Sequence, residues 1–363
     1  MKFSNSTKII PGVVLALIFC LFSQGINNLI GIELFNTSKS PISTVMIAIL
    51  LGIIMGNAFT PRPGMMIGLD FTQQYILKLG IIFLGIRLSF SEFFKFGTIA
   101  IPLILICIIS VLFLIKLMIK KVQISSKMSY LIAIGTSVCG ATAIVATAPV
   151  INAKKTEVAY AIANITLFGV ISMLIYPYFA EIYFDGDPLK TGLFLGTAIH
   201  ETSQVAAAGL IYDQQFNSPE TLNVATVTKL IRNTFLVIMI PLFAFLYNRG
   251  KAKSKAYSIF NIFPYFVLGF IGMIFLRNIG DQFFSIGNEN YEVWKTFIDS
   301  IKILATVFLT MAMAAVGISI NISELKSMGY KPFVVGFIAA VTVGVVSTLS
   351  MEFIFKLSVF NAL

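Results

Sequence analysis

The sequence predicts an all-α polytopic membrane protein, built as inverted repeats of about five segments with two broken or re-entrant helices at mid-membrane. Three observations carry this reading. Of 363 residues, 57% are hydrophobic and only 12% are charged, with a mean hydropathy of +0.91. A soluble domain carries about twice that share of charge. Apolar runs of about 20 residues, the length that crosses a bilayer, recur from one end to the other. Two of these runs are interrupted by related polar stretches, and two others end in matching motifs. One transmembrane domain therefore spans 1–363. It comprises an extra N-terminal helix at about 9–31, a first repeat at about 42–180 and a second at about 189–357.

The net charge of +10 invites a nucleic-acid reading, which the distribution rejects. The lysines cluster in short loops between apolar segments, as cytoplasmic loops do. The partner this composition implies is the lipid bilayer. Cys20, Cys107 and Cys139 lie in apolar stretches, are odd in number and show no metal spacing, so they read as small buried hydrophobes. Lys2 and Lys8 precede an apolar run from Ile9 to Phe22. Ser-Gln-Gly at 23–25 is a weak cleavage site, so the run reads as an uncleaved first helix.

The segments follow in order. Segment 1 covers about 9–31. Segment 2 covers about 42–60 and is closed by Pro61 and Pro63, which remove backbone donors. Segment 3, about 65–89, holds Asp70 and Lys78. Segment 4, about 97–120, leads into a basic region with Lys116, Lys120, Lys121 and Lys127. Segment 5, about 128–152, contains Gly135-Thr136-Ser137-Val138-Cys139-Gly140-Ala141-Thr142-Ala143-Ile144, and Lys154 and Lys155 follow it. Segment 6, about 157–180, ends at an acidic loop with Glu181, Asp185 and Asp187. Segment 7, about 189–212, contains Gly196-Thr197-Ala198-Ile199-His200-Glu201-Thr202-Ser203-Gln204-Val205. Segment 8, about 222–247, carries Lys229 and Arg232 and precedes the basic run from Arg249 to Lys255. Segments 9, 10 and 11 cover about 260–279, 295–320 and 333–357.

The interrupted stretches in segments 5 and 7 look like copies. Both open Gly-Thr, pass through a small and a β-branched residue, and return to apolar residues after a polar or small break. Such a stretch suits a broken helix or hairpin whose freed backbone groups line a polar cavity. A second pair is clearer. Leu84-Gly85-Ile86-Arg87-Leu88-Ser89-Phe90-Ser91-Glu92, ending at Gly97, recurs as Val316-Gly317-Ile318-Ser319-Ile320-Asn321-Ile322-Ser323-Glu324, ending at Gly329. Segments 3–4 therefore pair with 10–11. Segments 6 and 8 align through Pro177 and Pro241, and segments 2 and 9 match most weakly. If all eleven segments cross, Lys154 and Lys155 fall outside and the acidic loop falls inside. If segments 5 and 7 are re-entrant, both charge biases are restored and every matched pair becomes antiparallel. That reading gives nine full spans, two hairpins, a cytoplasmic N-terminus and an external C-terminus. Its rival is a pair of broken helices that cross fully.

His200 is the only histidine and adjoins Glu201 at membrane depth. An ionisable group there is a functional candidate, and a histidine titrates near neutral pH. The pair suits a coupling proton or sodium ion; no other cofactor is expected. Ser137, Cys139, Gly140, Thr142, Thr202, Ser203 and Gln204 offer hydroxyls, an amide and close backbone approach at the two breaks. Half-helix N-termini add unpaired N–H groups, while small-residue packing uses the same residue types. Lys229 and Arg232 lie at i, i+3 on one face, where two cations suit a small anionic substrate and an arginine grips an oxyanion with two hydrogen bonds. Ion pairs to Glu201 or Asp70 are the structural counter-reading. The repeat offset also sets Asp70 against Lys302, an arrangement that predicts an exchanged pair. Embedded cations (Lys78, Lys229, Arg232, Lys302) equal embedded acids (Asp70, Glu201, Asp299, Glu352), so number alone does not fix the substrate's sign.

Ser137-Val138-Cys139-Gly140-Ala141-Thr142-Ala143-Ile144, Ala198-Ile199-His200-Glu201 and Lys229-Leu230-Ile231-Arg232 resemble the YeiH-like sulfate exporter family over nearly the whole chain. That family is grouped with bile-acid/sodium symporters and cation/proton antiporters. The resemblance implies five-segment inverted repeats, broken helices meeting at mid-membrane, a core moving against a scaffold, often a homodimer, and a bacterial plasma (inner) membrane. The expected function is secondary active export of a small anion such as sulfate, sulfite or a sulfonate. The alternative is a cation/proton antiporter with Glu201 and Asp70 as ion ligands. An intramembrane enzyme using Cys139 or His200 is disfavoured, because no nucleophile–base–orienter set can be read. Paired repeats favour alternating access over a channel.

Overall fold

The computed structural model describes residues 6–34, 40, 42–59, 63–122, 125–248, 264–284, 290–323 and 330–356. Several features of the sequence reading fall outside them: Lys2, Pro61, the basic run 249–255, Glu324 and Gly329. The side chains of Lys116, Lys120 and Lys121 do so too. The described residues are helical, with no strand among them.

In chain order the helices are α1 (Ser6–Leu29), α2 (Thr44–Ala58), α3 (Pro63–Phe71), α4 (Leu77–Leu84), α5 (Phe90–Val122), α6 (Ser126–Ser137), α7 (Ala141–Thr147) and α8 (Lys155–Phe184). They continue with α9 (Pro188–Ala198), α10 (Thr202–Phe216), α11 (Pro219–Thr234), α12 (Leu236–Asn248), α13 (Phe266–Phe283), α14 (Tyr291–Ser319) and α15 (Tyr330–Lys356). A π-helical turn joins α3 to α4, so 63–87 runs as one rod. Among the described residues eight helices are long and apolar enough to cross a membrane, and the apolar α2 is shorter. The protein is a multi-pass membrane protein. Segment 8 divides into α11 and α12 at Phe235, whose N–H turns to the Arg232 carbonyl at 3.2 Å.

Helix starts follow the side chains that satisfy them. Ser43 and Ser125 accept from the third amide along, at 3.2 and 3.1 Å, and Asp187 accepts from Leu189 and Lys190 at 3.0 Å each. The motif at 84–92 explains itself here. Ser89 and Glu92 exchange side-chain and backbone bonds, Ser89 N to Glu92 Oε2 at 2.8 Å and Glu92 N to Ser89 Oγ at 3.3 Å. This capping box opens α5 several residues before the expected start at 97.

The chain divides into two compact units. The first comprises Met1–Phe93, Gly209–Asn223 and Tyr265–Ser323; the second comprises Phe94–Ala208, Val224–Pro264 and Glu324–Leu363.

In the first unit one set of contacts occurs twice. Gly317 presses its backbone on the Ile49 carbonyl and on Gly52 of α2; Gly85 presses on the Phe270 carbonyl and on Met273 of α13. A Cβ at either glycine would collide with backbone, the close approach that small residues permit between membrane helices. Asn57 Oδ1 accepts from Ile322 N at 2.9 Å, and Asn278 Oδ1 accepts from Phe90 N at 3.4 Å. Each asparagine also donates 2.8 Å back along its own helix, Asn57 to Ile53 and Asn278 to Ile274. The α13 members of these pairs all stand 221 positions after their α2 counterparts: 49 and 270, 52 and 273, 53 and 274, 57 and 278. An Arg87–Asp213 ion pair at 3.1 Å adds a polar tie in the same unit. Lys302 pairs within its own helix with Asp299, at 3.0 Å.

In the second unit the segment α6–α7 returns to where it started. Lys127, in the first turn of α6, donates from Nζ to the Asn152 carbonyl at 2.6 Å. Ser125, its N-cap, donates to Glu157 Oε1 at 2.5 Å, and Glu157 Oε2 accepts from Lys154 N at 2.8 Å. The start of α6 and the start of α8 are thus tied together. Asn152 turns the chain in the left-handed region, at φ 49°, which asparagine tolerates. Helices α8 and α15 pack beside this hairpin, and α9 packs on both of them, with Thr197 Oγ1 and Ser347 Oγ 2.6 Å apart.

Candidate functional site

The two interrupted stretches are helix breaks. α6 stops at Ser137 and α7 starts at Ala141; α9 stops at Ala198 and α10 starts at Thr202. Counted from Gly135 and Gly196, the breaks 138–140 and 199–201 fall at matching positions. Gly140 makes the first one, with φ +69° in a region that L side chains rarely adopt. Glu201 packs its side chain over this glycine, in space that a Cβ would fill. Glu201 Oε1 accepts from Ala141 N at 3.2 Å.

Helix α11 delivers Lys229 and Arg232 to both breaks at once. Lys229 Nζ donates to the carbonyls of Val138 and Ile199 at 3.0 Å each, and to that of His200. Arg232 donates from Nε to Ser137 O at 2.9 Å, from Nη1 to Thr197 O at 2.6 Å and Ile199 O at 3.2 Å, and from Nη2 to Thr136 O. Thr136 and Thr197 are counterparts in the two copies, and so are Val138 and Ile199. Each cation therefore bridges a matched pair of carbonyls.

Both cations have no exposed surface. An ion at membrane depth costs several kcal/mol unless it is compensated. The compensation is the negative ends of two helix dipoles, α6 and α9, with seven carbonyl contacts. All three Lys229 hydrogens and four of the five on Arg232 are spent this way. Their partners are backbone carbonyls, rather than Glu201 or Asp70. The cations act on anything bound nearby through charge, with one guanidinium N–H left over.

The remaining predicted residues divide clearly. Thr202 opens α10, and its Oγ1 accepts from Asn233 Nδ2 at 2.9 Å. Gln204 is fully buried as a brace: Oε1 accepts from Glu201 N and Nε2 donates to Thr166 O, both at 3.2 Å. Gly169 makes room for it. Ser137, Cys139 and Ser203 are buried at or beside the breaks, whereas Thr142 is exposed on α7. His200 is buried, with Nδ1 lacking a partner. Asp70 is exposed on α3 and belongs to the first unit, whereas the cluster's residues belong to the second. The cluster thus sets two cations beside one carboxylate. Sequence reasoning missed Asn233, whose only signal is a polar side chain directly after Arg232 in a candidate spanning helix.

A family model described as Conserved hypothetical protein 698 matches residues 11–336. The chain is 33% identical to the UPF0324 membrane protein SAG1125 of Streptococcus agalactiae over 337 residues, 93% of this chain and 94% of the relative. It is 33% identical to the UPF0324 membrane protein FN0533 of Fusobacterium nucleatum, covering 87% and 91% of the two chains. It is 32% identical to the UPF0324 inner membrane protein YeiH of Salmonella typhimurium, covering 80% of each. No solved structure matches it.

Proposed function

Given that the chain belongs to the Conserved hypothetical protein 698 family, the UPF0324 membrane proteins, we propose that it is a secondary active transporter that exports a small anion such as sulfate, sulfite or a sulfonate. The observation that carries this is the pair of helix breaks held by Lys229 and Arg232, a positive site inside an apolar unit. Broken helices at mid-membrane are how secondary transporters expose backbone groups to an ionic substrate. The anion sits at the start of α10, where the first amides of a helix lack carbonyl partners. His200 and Glu201 carry the coupling proton or sodium ion.

The paired contacts of α2 with Gly317 and of α13 with Gly85 support inverted repeats and alternating access. The Lys127–Asn152 bond supports a re-entrant first hairpin. The long apolar helices, together with α2, give nine candidate spans that leave out both broken segments, which supports a cytoplasmic N-terminus and an external C-terminus. The relative named as an inner membrane protein supports a bacterial plasma membrane location. A homodimer fits the superfamily resemblance.

Flux of labelled sulfate and sulfite in proteoliposomes, with and without a pH gradient, tests the proposal beside a His200→Ala variant. Saturable, pH-driven anion flux that loses its pH response in the variant is the expected result. Sodium/proton exchange with no anion movement would instead establish the antiporter alternative.

A further inference from the structure

The cluster holds acceptors that a fully deprotonated oxyanion leaves unused. Asn233 is 2% exposed; its Nδ2 is spent on Thr202 Oγ1, and its Oδ1 has no partner. The amide stands at the first residue of α10, a 15-residue helix whose leading amides face the same end. Glu201 engages one carboxylate oxygen, on Ala141 N. His200 Nδ1, directly before it in the chain, is a further buried atom without a partner.

The site therefore offers two kinds of recognition at once. The α10 amides and the charges of Lys229 and Arg232 attract negative charge. The Asn233 oxygen calls for a donor. A buried acceptor left unmatched costs about 1–3 kcal/mol, so a site of this kind rejects a ligand that lacks the hydrogen.

We propose that the ligand taken at the start of α10 carries an anionic oxyacid group together with a hydrogen-bond donor, the donor being received by Asn233 Oδ1. This rests on the anion-transporter reading and narrows it. Two sources supply that chemistry: an oxyanion that keeps one O–H, such as hydrogen sulfite, or a sulfonate that carries an ammonium group. Sulfate near neutral pH and alkyl sulfonates have acceptors only.

The test is competition binding by titration calorimetry on the purified full-length protein with four probes. Sulfite at mildly acidic pH and taurine carry a donor. Methanesulfonate is a monoanion without one, and sulfate is a dianion without one. The expected result is that sulfite or taurine, whichever the site admits, binds about tenfold or more tighter than both methanesulfonate and sulfate. Asn233→Leu should collapse that preference towards unity, and Asn233→Asp, which keeps an acceptor, should retain it. Because the readout is a ratio of affinities, a general loss of folded protein does not imitate it. Equal binding of methanesulfonate or sulfate to the wild type would overturn the donor requirement while leaving an anion transporter standing, and so would a preference untouched by Asn233→Leu. Absence of binding by all four would remove the anion-site reading as well.

Discussion

Thr136 and Thr197 stand at the same position in two copies of one motif, and both give their backbone carbonyls to Arg232. Lys229 does the same for Val138 and Ile199, at 3.0 Å each. One residue pair on α11 thereby fixes the separation of two helix ends, beside the bond from Ala141 N to Glu201 Oε1 that links the two breaks directly. Bare carbonyls at membrane depth are costly, and two buried cations are costly too. Together they compensate one another.

Removing the guanidinium should therefore destabilise the protein more than an ordinary substitution. Arg232→Met leaves four carbonyl contacts unmade, which should cost about 3–5 kcal/mol. Arg232→Lys should recover only part, because an ammonium has three donors and no planar fork. Thermal unfolding in detergent checks this; unchanged melting of Arg232→Met would refute the clamp.

The glycine contacts make a paired prediction. Gly85→Val and Gly317→Val place side-chain atoms against the carbonyls of Phe270 and Ile49, and each should cost about 1–3 kcal/mol. Gly272→Ala, which meets nothing within 4 Å, should stay within about 0.5 kcal/mol of wild type. Equal effects from all three would remove the structural meaning of the repeat. The same melting assay reads all three.

The hairpin can be read from its ends. With Cys20, Cys107 and Cys139 replaced by serine, Lys127→Cys and Asn152→Cys should react with an impermeant maleimide from the cytoplasmic face. Asp187→Cys should react from the opposite face. Labelling of positions 127 and 152 from opposite faces would mean that the segment crosses.

Glu201→Gln keeps an oxygen for the Ala141 amide but loses the charge and the proton. Under the proposed coupling it should still bind the anion, while flux loses at least most of its response to an imposed pH gradient. Retention of the full response would assign the proton elsewhere.

Much of this was legible in the sequence, for reasons that also mark where it was not. Gly140, Glu201 and the repeated Gly-Thr openings showed that two apolar runs are interrupted, and the breaks fall there. The charge bias at Lys154 and Lys155 predicted that segment 5 returns to the side it left, a reading that the Lys127–Asn152 bond supports. Segments 2 and 9 matched poorly because their equivalent contacts are made by the carbonyls of Ile49 and Phe270, which carry no residue identity; only Asn57 and Asn278 preserve it. Lys229 and Arg232 suggested anion ligands for the same reason. A sequence displays cations but not the backbone oxygens that occupy them. Asn233 went unnoticed because one amide beside two charges is a weak pattern until its bond to Thr202 is seen.

The central claim is that an oxyanion binds at the start of α10, beside the two clamped breaks. Selenite and selenate share the shapes and charges of sulfite and sulfate, and selenium scatters anomalously. A crystal of the full-length protein grown with selenite should show one selenium peak within hydrogen-bonding reach of the Thr202 amide and the Asn233 side chain. A peak elsewhere, or none at saturating selenite, would contradict the account.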